Sequence, residues 1–270
     1  MARIVQLTDL HLFADARARL FGIPTRETLV DVLAHLRAHA GHVDHLVVTG
    51  DHAHDERAGT YDTLRELLGP WHDRLWQVPG NHDDRARLRA AFPDRITGTG
   101  ARPVRFAYRV ERWLCVGLDT QVPGEVGGRL DGEQVGWLRE RLDEHDPEAV
   151  ALFLHHPPVA LGCPWLDAIG LEGRELLAEL LEADSRFRLV CCGHVHHEST
   201  TRLGAATVVT TPSTGLQFDP TGASAAFAGA PPGYRVVDLD GDAWSTHVVR
   251  LPVARFAPTP PDAPRSAGSP

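Results

Sequence analysis

Five short polar clusters, each placed directly behind a strand-like run, constrain this chain more than any other feature of its sequence. They read Asp9-Leu10-His11, Gly50-Asp51, Gly80-Asn81-His82-Asp83, His155-His156-Pro157-Pro158 and Gly193-His194-Val195-His196. The runs ahead of them are largely apolar, and the first is rich in β-branched residues: Ile4 to Thr8, His45 to Thr49, Leu75 to Val78, Ala149 to Leu154 and Arg188 to Cys192. Between these runs, apolar residues recur at helical spacing. Thr25 is placed to cap a helix from about Arg26 to Ala40, with Leu29, Val32, Leu33 and Leu36 as its stripe. Tyr61, Leu64, Leu67 and Leu68 mark a second helix; others are expected around Glu133 to Glu144 and Gly173 to Glu182. Strands alternating with helices give an α/β fold, with parallel sheet covered by helices. In such sheets the carboxyl ends of the strands converge on one edge, where ligands bind. The fold therefore gathers five clusters that are scattered from residue 9 to residue 196.

The rest of the chain adds antiparallel structure. RFAYRV and WLCVGL, between Val104 and Leu118, read as two strands joined by a polar turn. Hairpins are expected at TTRLGAATVVTT and at YRVVDLDGDAWSTHVVRL, where Asp240-Gly241 supplies the turn. No linker-like shift in composition occurs before Ala257, so residues 1–256 read as one domain. The Pro/Ser/Gly-rich segment 257–270 has little to bury and is expected to be disordered.

Imidazole and oxygen ligands in one place suit Zn, Mn, Fe or a similar divalent ion rather than calcium. There are too many of them for one ion. Two ions about 3.5–4 Å apart, clamping an in-line displacement at phosphorus, would use them all. Asp9/His11 and His194/His196 have i, i+2 spacing, which in extended backbone projects both side chains to one side. The glycines before Asp51, Asn81 and His194 are expected to allow the sharp turn at a strand exit. Taken singly, each fragment has a plainer reading as a turn, a cap or a strand terminator. All five in order, each at a strand end, do not.

Composition removes other classes of function. All 27 basic residues are arginine, so lysine-dependent phosphate loops, Schiff-base cofactors and lysine nucleophiles are excluded. The formal net charge of -9 argues against nucleic-acid or anionic-membrane partners. No apolar run is long enough for a membrane helix, and MARIVQLTD does not read as a signal peptide, so a cytoplasmic location is expected. The four cysteines form no CxxC pair; they read as reduced and buried. The 16 histidines do not form a low-complexity chelating tract.

TDLH, TGD, PGNHD, LHHPP and CGHVH, in this order, resemble the calcineurin-like metallophosphoesterase superfamily. LGCPWLD, TTPSTGLQFDP, PPGYRVVDL and HVVRL are further similar to bacterial class III 3′,5′-cyclic-nucleotide phosphodiesterases. The resemblance covers about residues 3 to 256 and implies a four-layer αββα sandwich of two mixed sheets. It implies two divalent ions (Fe, Mn or Zn), one held by Asp9, His11, Asp51 and His196, the other by Asp51, Asn81, His155 and His194. Asp51 would bridge. Asn81 and His82 would contact the substrate, with His82 as general acid or charge stabiliser. Either member of His155-His156 could face the metal, and the family pattern favours the first. His52 and His54 depart from the pattern and read better as packed or exposed structural residues. Trp165 and Phe218 read equally as buried aromatics or as stacking partners for a base.

The implied reaction is hydrolysis of 3′,5′-cyclic AMP, or a related cyclic nucleotide, to the 5′-monophosphate by a metal-bound hydroxide. The second reading is another phosphodiester: a 2′,3′-cyclic nucleotide, a glycerophosphodiester or a phospholipid-linked diphosphate. A non-catalytic scaffold is disfavoured because every expected ligand position is filled. The partner is thus a small molecule, and a homodimer is compatible with the sequence.

Overall fold

The computed structural model describes residues 1–260. In chain order the strands are β1 (Ala2–Leu7), β2 (His45–Thr49), β3 (Leu75–Val78), β4 (Phe106–Val110), β5 (Trp113–Gly117), β6 (Gly128–Arg129), β7 (Ala149–Leu154), β8 (Leu171–Glu172), β9 (Phe187–Cys192), β10 (Ser199–Leu203), β11 (Ala206–Thr210), β12 (Gln217–Phe218), β13 (Phe227–Ala228), β14 (Gly233–Asp240) and β15 (Ala243–Arg250). The helices are α1 (Thr25–His39), α2 (Ala58–Leu68), α3 (Arg85–Ala91), α4 (Gly132–His145), α5 (Pro164–Asp167) and α6 (Arg174–Ala183).

Two mixed sheets form the centre, in the orders β15-β14-β1-β2-β3 and β10-β11-β9-β7-β5-β4. Strands β1, β2 and β3 run parallel, as do β5, β7, β9 and β11; β4, β10 and β14 run antiparallel to their neighbours in these sets, and β15 pairs antiparallel with β14 at the sheet edge. The period-2 alternation of each inner strand feeds two different layers. Ile4, Val47, Val78, Phe153 and Leu189 point between the sheets. Their neighbours Val5, Leu46 and Val48 face Leu29, Leu36, Tyr61 and Leu64 of α1 and α2. On the far side Val150, Leu152 and Val190 face Val135, Leu138, Leu177 and Leu181 of α4 and α6. Helix, sheet, sheet, helix is the αββα order.

The ladders end level. Leu7 lies beside Val48, Thr49 beside Val78, and Leu154 beside Cys192. Five strands therefore deliver their polar clusters to one edge of the sandwich.

Two local expectations change. Helix α1 begins at Thr25 with Pro24 before it; the Thr25 hydroxyl donates to the His11 carbonyl at 2.8 Å instead of capping the helix. The helix start is thereby tied to the first polar cluster. In the final hairpin Asp240 pairs with Ala243, so the reversing residues are Gly241 and Asp242, one place later than expected. Of the 257–270 tail, residues 261–270 lie outside the described residues, and Thr259 N–H donates to the Phe21 carbonyl at 2.8 Å. All four cysteines are free and buried. Among the described residues no helix is long and apolar enough to cross a membrane.

Phe153 lies fully buried where the two sheets meet. Truncating it leaves a void between rigid layers, so Phe153→Ala should lower unfolding stability by about 3–5 kcal/mol. Urea titration checks this, and a loss below about 1 kcal/mol would mean the layers close over the gap.

Candidate metal centre

Asp9 and His11 follow β1, Asp51 follows β2, Asn81 and His82 follow β3, His155 follows β7, and His194 and His196 follow β9. The structure brings all eight to the sandwich edge. The route is not the extended one expected for the i, i+2 pairs. Asp9, His11, Asp51, His194 and His196 all have positive φ (54°, 46°, 52°, 71° and 47°), a left-handed backbone that side chains seldom adopt. Each costs about 1–2 kcal/mol, which the packed layers beneath must offset. Backbone bonds lock the turns: Asp9 N–H to the Gly50 carbonyl (3.1 Å), His11 N–H to Asp51 (2.8 Å) and Gly193 N–H to His155 (3.0 Å). The glycine expectation is also refined. Gly50 has φ +96°, but Gly80 is required for close approach, since a Cβ there would collide with the Asp51 backbone and carboxylate.

Three imidazoles are oriented by carbonyls. His155 Nδ1–H donates to Thr49 at 2.7 Å, His194 Nε2–H to Ile169 at 3.0 Å and His196 Nδ1–H to Leu216 at 2.8 Å. Those bonds fix the ring orientations and make the opposite nitrogen of each ring the ligand atom once that ring is neutral. The free nitrogens then meet other acceptors. His196 Nε2 is 3.1 Å from His11 Nε2 and 3.4 Å from Asp9 Oδ1, and His11 Nε2 is 3.4 Å from Asp51 Oδ2. Asn81 Oδ1 sits 3.1 Å from both His155 Nε2 and His194 Nδ1, with Asp51 Oδ1 3.5 Å from His155 Nε2. The two Asp51 oxygens thus face two clusters. Asp9 and Asp51 are 0% and 2% exposed, and among the described residues imidazoles are their only ion-pair partners. Converging lone pairs and buried anions without a cation are unfavourable by themselves and suit a bound divalent ion. His155 and His156 separate here. His156 accepts from the Thr120 hydroxyl at Nδ1 (2.8 Å) and donates from Nε2 to Val126 (3.1 Å), so neither of its nitrogens is free.

The surroundings hold further residues beside the ligands. His54, for which the sequence favours a structural role over one tuning the site, stacks its ring on His82 at 4.6 Å and has its Nδ1 3.2 Å from His11 Nδ1, lining the cavity. The extra histidine in GDHAHD was its visible signal. His52 is packed: fully buried, it binds Asp83 at 2.8 Å. Asp83 also accepts from the His52, Ala53 and Gly80 N–H groups (3.0, 3.1 and 2.9 Å), stapling the Asp51 turn to the Asn81 turn. The orienting carbonyls of Thr49, Ile169 and Leu216 have no signature in the sequence.

The electrostatics follow from burial. Burial holds His11 well below the ordinary imidazole range, partly opposed by Asp51, and burial with His155 nearby brings His194 down to about 4. Burial and the adjacent His82 likewise bring His54 down to about 4. Burial would raise Asp51, but His155 and His11 outweigh it and keep the carboxylate well below its usual range. For His155 burial pulls down, yet the Asp51 and Asp9 carboxylates push it up to about 9.

The family model of the calcineurin-like phosphoesterases matches residues 2–198. The chain belongs to the calcineurin-like phosphoesterase family. Calcineurin-like phosphoesterases use a dinuclear metal centre, and two groups of side chains here fit one: Asp9, His11, Asp51 and His196, and His155 and His194 around Asn81 with Asp51 beside His155. The 3′,5′-cyclic adenosine monophosphate phosphodiesterase CpdA of Escherichia coli is 33% identical over 257 residues, 95% of this chain and 92% of that protein. The glycerophosphodiester phosphodiesterase GpdQ of Enterobacter lignolyticus is 29% identical over 214 residues, 78% of this chain and 77% of that protein. A dimetal phosphatase from Danio rerio superposes with a TM-score of 0.65 at 16% identity, covering 92% of this chain and 95% of that one, and shares the fold.

A His155 imidazole that stays protonated up to about pH 9 in the metal-free protein must lose that proton to become a ligand. Proton and cation compete, so Mn2+ affinity should rise with pH and level off above about 9. Mn2+ titration at pH 7.5 in weakly buffered solution should release about one proton per molecule, and His155→Gln should abolish that release. An affinity independent of pH between about 7 and 9 would overturn the assignment.

Proposed function

We propose that this phosphoesterase hydrolyses 3′,5′-cyclic AMP, or a related cyclic nucleotide, to the 5′-monophosphate. The observation that carries this reading is the pair of clusters joined by Asp51 at the base of a cavity of about 120 Å3, in a chain related to CpdA over nearly its whole length. Asp9, His11, Asp51 and His196 would hold one cation, and Asp51, Asn81, His155 and His194 the other. Two divalent cations, when bound, supply Lewis acidity and offset the negative charge that grows on the phosphoryl oxygens. Asn81 and His82 would contact the phosphate.

His82 is well placed for that role. Its backbone N–H donates to Asp51 Oδ1 at 2.9 Å, which fixes the turn, while the ring lines the cavity between His54 and His11, at 4.6 and 5.0 Å. An imidazole held there can donate a hydrogen bond or a proton to a phosphoryl or leaving oxygen. Hydrolysis breaks the P–O3′ bond and adds water across it, so the chain need only orient, neutralise and move one proton. A second reading, hydrolysis of a glycerophosphodiester or other phosphodiester, is supported by the similarity to GpdQ. We place the enzyme in the cytoplasm as a single metallophosphoesterase domain of residues 1–256; its four free, buried thiols agree with a reducing compartment.

Manganese-loaded protein should convert 3′,5′-cAMP to 5′-AMP in chromatographic assays, at a rate comparable with 2′,3′-cAMP and an aryl phosphodiester. Cleavage of the other two with 3′,5′-cAMP intact would transfer the function to the second reading. Asn81→Ala should reduce bound Mn2+ from two ions to one and cut cAMP turnover about 100-fold while leaving the fold intact. Unchanged turnover would remove Asn81 from the site.

A further inference from the structure

Beside its imidazole and carboxylate groups, the cavity is lined by Leu20, Phe21, Trp165, Leu216 and Phe218 among other uncharged side chains. The aromatic members are linked into one run through Phe227, which stands behind the lining. Trp165 stands edge-on to Phe218 at 5.1 Å, Phe218 stacks on the His196 ring at 4.0 Å and 4°, and Phe227 lies 6.1 Å from Phe218 and 4.7 Å from Phe21. Phe21 ends the run and is 45% exposed.

Phe21 is held there against its backbone preference. Leu20 and Ile23 exchange two backbone bonds of 2.9 Å, closing a two-residue turn in which Phe21 has φ +45° and Gly22 φ +85°. Positive φ at both central positions is the type I′ pattern, which strongly favours Asn-Gly; a bulky aromatic in the first position is an outlier. Thr259 N–H to the Phe21 carbonyl (2.8 Å) and Arg19 Nη1 to the Gly22 carbonyl (3.1 Å) hold the turn. Reversing the chain does not require an exposed phenyl ring here. Trp165, on α5, lines the same cavity, and its indole N–H has no acceptor among the described residues.

We propose that Phe21 and Trp165 form a stacking platform for the nucleobase of the substrate and set the preference of this site for nucleotide esters. The proposal deepens the cyclic-nucleotide reading and rests on it for the phosphate held at the metal clusters. Every base has a π face, so stacking of this kind is tolerant of base identity. A glycerol head group offers no such face. The platform would therefore separate nucleotide from glycerol esters sharply, and adenine from guanine weakly.

The test is calorimetric binding of 5′-AMP and of ribose 5-phosphate, which keeps the sugar and phosphate but lacks the base, to the manganese-loaded protein. Wild type should bind 5′-AMP roughly 10-fold or more tighter. In Phe21→Asn and in Trp165→Leu the gap should shrink to within about 2–3-fold, with ribose 5-phosphate affinity unchanged. Phe21→Asn should also melt about 2–4 °C higher, because Asn suits the turn; a purely structural phenyl would change the melting temperature and leave the gap. Equal binding of the two ligands by wild type, or a gap that survives Phe21→Asn, overturns the platform. Phe21 is exposed, so that variant carries the test even if Trp165→Leu fails to fold. Hydrolysis of 3′,5′-cAMP is scored separately. A binding gap without cAMP cleavage would sink the reaction and keep the platform; cleavage without a gap would do the reverse.

Discussion

Asp9 and Asp51 are buried carboxylates whose ion-pair partners are imidazoles, and the free nitrogens of those imidazoles face acceptors. In a low-dielectric interior such an arrangement is costly, and here it recurs twice around one shared carboxylate. The rest of the structure is arranged around that constraint. Parallel ladders that end level bring five turns to one edge, and two sheets packed face to face bring His155 and His194 from one sheet onto Asp51 and Asn81 from the other.

Holding that arrangement requires strain, and the strain is local. Five of the eight site residues sit at positive φ, and each is clamped by main-chain bonds between neighbouring turns or by a side chain, as Ser213 clamps Asp9 and the Asp9 carboxylate clamps His194. The stability that offsets it comes from the three apolar layers, which are continuous beneath the site and contain no part of it. Carbonyls of Thr49, Ile169 and Leu216 choose the imidazole tautomers, so side chains supply the ligand atoms and the backbone supplies their orientation. The cavity joins this polar base to an aromatic run ending at Phe21, which joins charge neutralisation to recognition of an uncharged group.

Much of this was readable in advance because it depends on periodicity. The continuous apolar run Ala149 to Leu154 and the helical spacing of Leu29, Val32, Leu33 and Leu36 identify strand and helix without tertiary information, and both elements occur. The polar clusters at strand ends were visible for the same reason. Local geometry was not. Extended i, i+2 pairs became alternating left-handed residues, Thr25 bonded a distant carbonyl instead of its own helix end, and His54 turned toward His11. In each case a contact distant in sequence outweighed the local preference.

The amino-acid sequence by itself determined the ligand chemistry, the order of the longer strands and helices, and the absence of lysine-based catalysis, since these follow from residue type and spacing. Only the tertiary structure decided that His155 has a free nitrogen where His156 has none, because that depends on which ring finds Thr49 and which finds Thr120 and Val126. It likewise decided that Gly80 must lack a side chain, and that Phe21 stands at the cavity mouth. Periodicity is a property of one segment. Lone-pair direction and close approach are properties of two segments that meet only after the sheets have packed.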